Sequence, residues 1–174
     1  MNISESRISS FESACIEIAD ADAKVTFAHD RLRTGSDVVA IIEPNNPLSA
    51  RIDARLELDF GVYLLLGHGA SFEIPFSGGD YTGGSWLDEM KTLCRAVALG
   101  RFEEELTTIW KRIRRSDYRL YLESGAEIVE SWGRGILGLL PKRVLPRRSH
   151  RLLRYEPYRG AAGNHLRTEK STEK

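Results

Sequence analysis

The densest run of chemistry-bearing side chains lies toward the C-terminal end: Lys142, Arg143, Arg147, Arg148, Arg151 and Arg154, followed by Arg159, with Tyr155 and Tyr158 among them. Lysine and arginine neutralise phosphates and carboxylates, and tyrosine rings stack on bases. The six cations from Lys142 to Arg154 are therefore a candidate surface for an anionic partner. The plainest reading is a solvated or self-complementary basic surface. An acidic protein ranks above nucleic acid as a partner, because no helix-turn-helix pattern or other nucleic-acid motif accompanies the cations.

Other spacings suggest chemistry and then fail on context. Gly133-Arg134-Gly135-Ile136-Leu137-Gly138 matches G-x-G-x-x-G. A dinucleotide site also needs a helix to open there and meet the pyrophosphate, and Pro141 allows no more than one turn. The glycine-rich stretch 77–85 leads into a helical pattern, but Asp80, Asp88 and Glu89 crowd that end and would repel phosphate. There is no G-x-x-x-x-G-K-[ST] and no G-x-S-x-G, so phosphate-cradling and nucleophile-elbow chemistry lack their frames. His29, His68, His150 and His165 are scattered without metal-ligand spacing. The many carboxylates offer no pair that stands out. No cofactor or metal is expected, and His68, between Gly67 and Gly69, reads as a polar turn residue.

Composition sets the class. The chain has 174 residues, 41% hydrophobic and 29% charged, which is ordinary globular usage and enough length for a proper core. No apolar run approaches the roughly 20 residues of a membrane span, and the first residues carry no signal-peptide pattern. A soluble cytoplasmic chain with no membrane partner is expected. Cys15 and Cys94 are far apart in sequence and read as buried free thiols. The net charge of zero hides a split: residues 1–110 carry −9 and residues 111–174 carry +9. Two halves that pack together would offset each other's fields.

The elements that must position these groups are legible in part. From Ile52 to Leu66 every second residue is apolar, which predicts a half-buried strand bent at Gly61. It turns at 67–70 and pairs with 71–76 as a hairpin. Leu58, Phe60, Val62 and Leu64 are expected to face a helix over 86–99. Trp86, Met90, Leu93, Cys94 and Val97 form that helix's stripe, Ser85 is its N-cap and Gly100 its C-terminal glycine. Val38 to Ile42 reads as a buried strand, with Ser36 as a possible cap of a short helix instead. Residues 11–19 admit a helix, since Ile8, Phe11, Cys15 and Ile18 have helical spacing. The β-branched runs flanking Asp20-Ala21-Asp22-Ala23 favour strand, turn, strand. Residues 103–115 are likewise open, with a strand favoured because Tyr118, Leu120 and Leu122 alternate just after them. Residues 127–132 and 152–155 read as further strands.

The order Leu99-Gly100-Arg101-Phe102-Glu103-Glu104-Glu105, then Gly138-Leu139-Leu140-Pro141, then Arg154-Tyr155-Glu156-Pro157-Tyr158 resembles small uncharacterised proteins common in actinobacteria. The resemblance covers roughly residues 85–160 and implies no activity and no functional residues. The sequence thus predicts one α+β domain over 1–159, a mostly antiparallel sheet with one main amphipathic helix on one face, and a disordered polar tail over 160–174. The expected role is non-enzymatic binding of a protein partner, with nucleic-acid binding and an unrecognised hydrolase as the rivals. Nothing in the sequence sets an oligomeric state.

Overall fold

The computed structural model of the chain describes residues 3–30, 37–78, 81–109, 112–133 and 148–159. The chain is α+β, but its described residues form two antiparallel sheets and two helices rather than one of each. Helix α1 spans Ile3–Ala19 and leads into strands β1 (Ala23–Asp30), β2 (Asp37–Pro44), β3 (Ile52–Glu57), β4 (Gly61–Leu66) and β5 (Ala70–Pro75). These five strands form the first sheet in chain order. Helix α2 (Trp86–Ala98) follows, then β6 (Phe102–Ile109), β7 (Arg112–Tyr121), β8 (Glu127–Gly133) and β9 (Arg148–Arg154). The second sheet has the order β8-β7-β6-β9. No helix of the described residues is long and apolar enough to cross a membrane.

The first sheet is built on parity. Its hairpins pair Val38 with Leu56, Leu56 with Val62, and Leu66 with Ala70, so inward residues keep even numbers through every turn. Val38, Ala40, Ile42, Ile52, Ala54, Leu56, Val62, Leu64, Leu66, Phe72 and Ile74 are all buried on that face. The single bent strand expected over 52–66 is instead two strands joined by a turn at 58–60. Gly61 is needed where β4 begins: its φ is 155° and an added Cβ would lie 2.0 Å from the carbonyl oxygen of Ile74. The turn lifts Phe60 to 44% exposure, and Leu58 is only partly buried, so of the four residues expected under the helix only Val62 and Leu64 lie in the core. Arg7 donates to the Leu58 carbonyl and sits 3.7 Å from the centre of the Phe76 ring, tying α1 to this end of the sheet.

Helix α1 replaces the first expected hairpin. Phe11, Ala14, Cys15, Ile18 and Ala19 recur at helical spacing and are buried, while Ile16 is 58% exposed. Packing of that stripe against β1, β2 and α2 outweighs the strand preference of Cys15-Ile16-Glu17-Ile18. Asp20 to Asp22 do form a turn, but from helix to strand. Helix α2 is as the spacing predicts. Ser85 accepts a hydrogen bond from the Asp88 amide, and Met90, Leu93, Cys94 and Val97 are fully buried. At its other end the Gly100 amide bonds to Val97 and the Arg101 amide to Ala96, closing a Schellman motif. Helix α2 packs on β4 and β5 and touches β7, so it belongs to both sheets. Glu17 pairs with Lys91 and Arg95 across the two helices. Strands β6, β7 and β8 form the expected meander, and β9 begins earlier than the 152–155 read from the sequence.

Cys15 and Cys94 are both free and buried. Burial, with a smaller push from Glu12, raises the Cys15 thiol to about 12, and burial raises Cys94 well above its ordinary value. Two outcomes follow. Leu64→Asp should cost more than about 4 kcal/mol, while Phe60→Ser should stay within about 1 kcal/mol, both read from urea midpoints. In native buffer neither thiol should react with Ellman's reagent within minutes, and both should react at once in denaturant.

Candidate functional site

The second sheet places its polar groups by the same period-two rule. Phe102, Glu104 and Leu106 share the inner face of β6, and Ser116, Tyr118 and Leu120 that of β7. Glu104 is therefore aimed into the core, where it is 0% exposed. A buried carboxylate is tolerated only when hydrogen-bonded or paired. Three donors reach it. The Ser116 hydroxyl donates to Oε1 at 2.6 Å, the Tyr155 hydroxyl donates to Oε2 at 2.9 Å, and the His68 amide donates to Oε2 at 3.0 Å.

The third donor comes from the other sheet. Residues 67–69 form the β4–β5 turn, and Gly67 with φ 59° brings it against Glu104. A Cβ on Gly67 would lie 2.9 Å from Glu104 Oε2 and 2.9 Å from the Tyr155 hydroxyl, so a side chain there would have to displace those groups. His68 Nδ1 is 2.8 Å from the Tyr155 hydroxyl and 3.4 Å from Glu104 Oε2, while the imidazole remains 49% exposed. Tyr155 is itself fixed by stacking on Phe102, centroids 5.1 Å apart and planes 11° from parallel. Burial pushes the Tyr155 hydroxyl well above its ordinary range, and the Glu104 charge adds to this, so it stays a donor. Burial alone would raise the Glu104 carboxyl as well. The hydrogen bonds from His68, Ser116 and Tyr155 outweigh burial and hold it below the usual carboxylate range.

Of the described basic side chains of the C-terminal run, those of Arg151 and Arg154 stand on opposite faces of β9. Lys142, Arg143 and Arg147 lie outside the described residues, as do positions 134–138 of the glycine motif and the 160–174 tail. Arg148 begins β9. Arg154 pairs in register with Glu103 on the outer face, its guanidinium 3.0 Å from that carboxylate. Arg151 pairs with Leu106 and so stands on the opposite face, the side of Glu104 and Tyr155. Tyr155 and Tyr158 are committed inside: Tyr158 is 4% exposed, and neither presents a free ring to a base. His29 lies on β1 near Glu12 at 3.8 Å, and His150 on β9 near Glu105 at 3.2 Å. Among the described residues no group of three or more histidine, cysteine or acidic side chains could hold a metal ion.

No family model, curated protein or solved structure matches this chain.

Replacing Glu104 by leucine leaves the Ser116 and Tyr155 hydroxyls and the His68 amide without their acceptor, and should cost about 3 kcal/mol at neutral pH. A carboxyl depressed in the fold stabilises above the unfolded value of about 4 and loses that contribution as pH falls through its lower folded value. The gap in urea midpoint between wild type and Glu104→Leu should therefore hold from pH 7 to 5 and narrow toward pH 3.

Proposed function

We propose that the chain is a protein-binding module that takes an extended acidic segment of its partner as an added strand along β9. The observation that carries this reading is the position of β9 at the end of the second sheet, hydrogen-bonded to β6 and, among the described residues, to no other strand. An edge strand presents a row of main-chain donors and acceptors on which an extended peptide can register. Strand β9 is also basic, carrying Arg148, Arg151 and Arg154 and no acid. Arginines on an edge discourage pairing with neutral strands while favouring an acidic one, so the same residues supply rejection and attraction. Leu152, 41% exposed between Arg151 and Arg154, offers an apolar contact to the incoming strand. The internal use of Tyr155 and Tyr158 favours a protein over a nucleic acid, because the rings that would stack on bases are occupied.

The reading is tested by fluorescence anisotropy with a ten-residue peptide of alternating glutamate and valine. Binding should weaken with salt, fall roughly tenfold in Arg154→Glu, and vanish when alternate peptide amides are N-methylated. Equal binding of the methylated peptide would remove strand addition. Retardation of a single-stranded oligonucleotide at low salt, with no peptide binding, would move the surface to nucleic acid.

A further inference from the structure

We infer that His68, backed by Tyr155 and Glu104, is a proton-accepting site for hydrolysis of a small carboxylic ester that bears a negative charge. The inference is independent of strand addition at β9.

The hydrogen-bond directions carry it. Glu104 has no proton to give, so the Tyr155 hydroxyl must donate to Oε2 at 2.9 Å. The tyrosine oxygen is then left to accept from His68 Nδ1 at 2.8 Å. Nδ1 therefore carries the proton, and in the neutral ring Nε2 holds the lone pair. Nε2 forms no hydrogen bond with any described residue, and the side chain is half-exposed at the turn. A histidine whose inner nitrogen is fixed by a hydroxyl and a buried carboxylate, and whose outer nitrogen has no hydrogen-bond partner among the described residues, has the arrangement of a general base with its orienting groups. A purely structural role does not need the imidazole. The tie between the sheets is made by the His68 main-chain amide, which any residue but proline would supply.

The charge of the substrate follows from β9. Arg151, Leu153 and Tyr155 alternate onto one side of the strand's course, and Arg151 is exposed there with its positive charge acting on the Tyr155 hydroxyl. A carboxylate held by Arg151 would bring an attached ester toward His68. Water attacks the ester carbonyl, and its proton passes to Nε2 as the new C–O bond forms. When the C–O bond to the alcohol breaks, the leaving oxygen keeps the electron pair and takes that proton from Nε2. The products are one acid and one alcohol, and the histidine is neutral again.

The experiment measures release of 4-nitrophenol from its hydrogen-succinate ester and from its acetate by the full chain. The wild type should hydrolyse the anionic ester faster than an equal concentration of free imidazole does. His68→Gln, which keeps the main-chain amide and should keep the thermal midpoint, should lower the rate by about 100-fold. Tyr155→Phe, in a positioning residue, should lower kcat while leaving KM near its wild-type value. Arg151→Gln should raise KM for the succinate ester and leave acetate unchanged. A wild-type rate equal to that of imidazole, or a folded His68→Gln variant as active as wild type, overturns the proposal. Equal use of both esters by wild type and Arg151→Gln overturns the assignment of an anionic substrate.

Discussion

The structure depends on how a charged group is kept in the core. Glu104 sits at full burial between two sheets, and each of its oxygens is answered: Oε1 by Ser116 of the second sheet, Oε2 by the His68 amide of the first and by Tyr155 beyond β9. A purely apolar contact would hold the sheets together without fixing their register, since apolar packing is non-directional. A carboxylate with three donors fixes the β4–β5 turn to one position over β6 and β7, because any slip would leave a buried charge unanswered. The close approach of Gly67 and Gly69 to Glu104, Ser116 and Trp132 is the geometric counterpart of that tie. Phe72 and Tyr118 extend it with an edge-on contact at 5.5 Å.

A second tie begins at the next residue after Tyr155. After β9 the chain returns over the first sheet and the end of α2. The Glu156 amide bonds to Leu48, the Tyr158 amide to Ala98, and the Pro157 carbonyl accepts from Asn46 and Ser49. Arg159 then reaches Asp22 at 3.1 Å. The charge split of the sequence is resolved along this path. Acids of the first part, Glu103 and Asp22, meet Arg154 and Arg159 of the second. These pairs are largely exposed, so each contributes little to stability, and their main effect is to offset the two fields.

Much of this was legible in the sequence, and the failures have physical causes. The strands were readable wherever alternation had a buried face to report, as in 52–66 and 118–122, or where the run was wholly apolar, as in 38–42. The turn at 58–60 was invisible because Leu56 and Val62 are six residues apart, an even step that carries the alternation across a three-residue turn unchanged. The helix at the N-terminus departs from the local strand preference of Cys15-Ile16-Glu17-Ile18 because the decisive term is the packing of Phe11, Cys15 and Ile18 in the core. Glu104 carries a local signal of its own. Phe102, Glu104 and Leu106 alternate with Glu103, Glu105 and Thr107, and a strand that buries Phe102 and Leu106 must also turn Glu104 inward. What no local pattern could supply is the partner, since His68 and Tyr155 lie 36 and 51 residues away.

The same tie explains why the turn can be rigid and chemically available at once. The amide of residue 68 is spent on holding the sheets, which fixes the backbone, while the side chain of that position reaches Tyr155 and Glu104 through Nδ1. A glutamine there would keep the amide tie. The imidazole instead lies against a tyrosine kept protonated by burial and a carboxylate kept ionised by its donors. Both conditions derive from the core, not from the surface. The stability of the sheet contact and the proton-accepting character of His68 therefore rest on the same carboxylate, but through different atoms: the amide nitrogen for the first and Nδ1 for the second. Substitutions at position 68 separate the two roles, whereas substitutions at position 104 disturb both together.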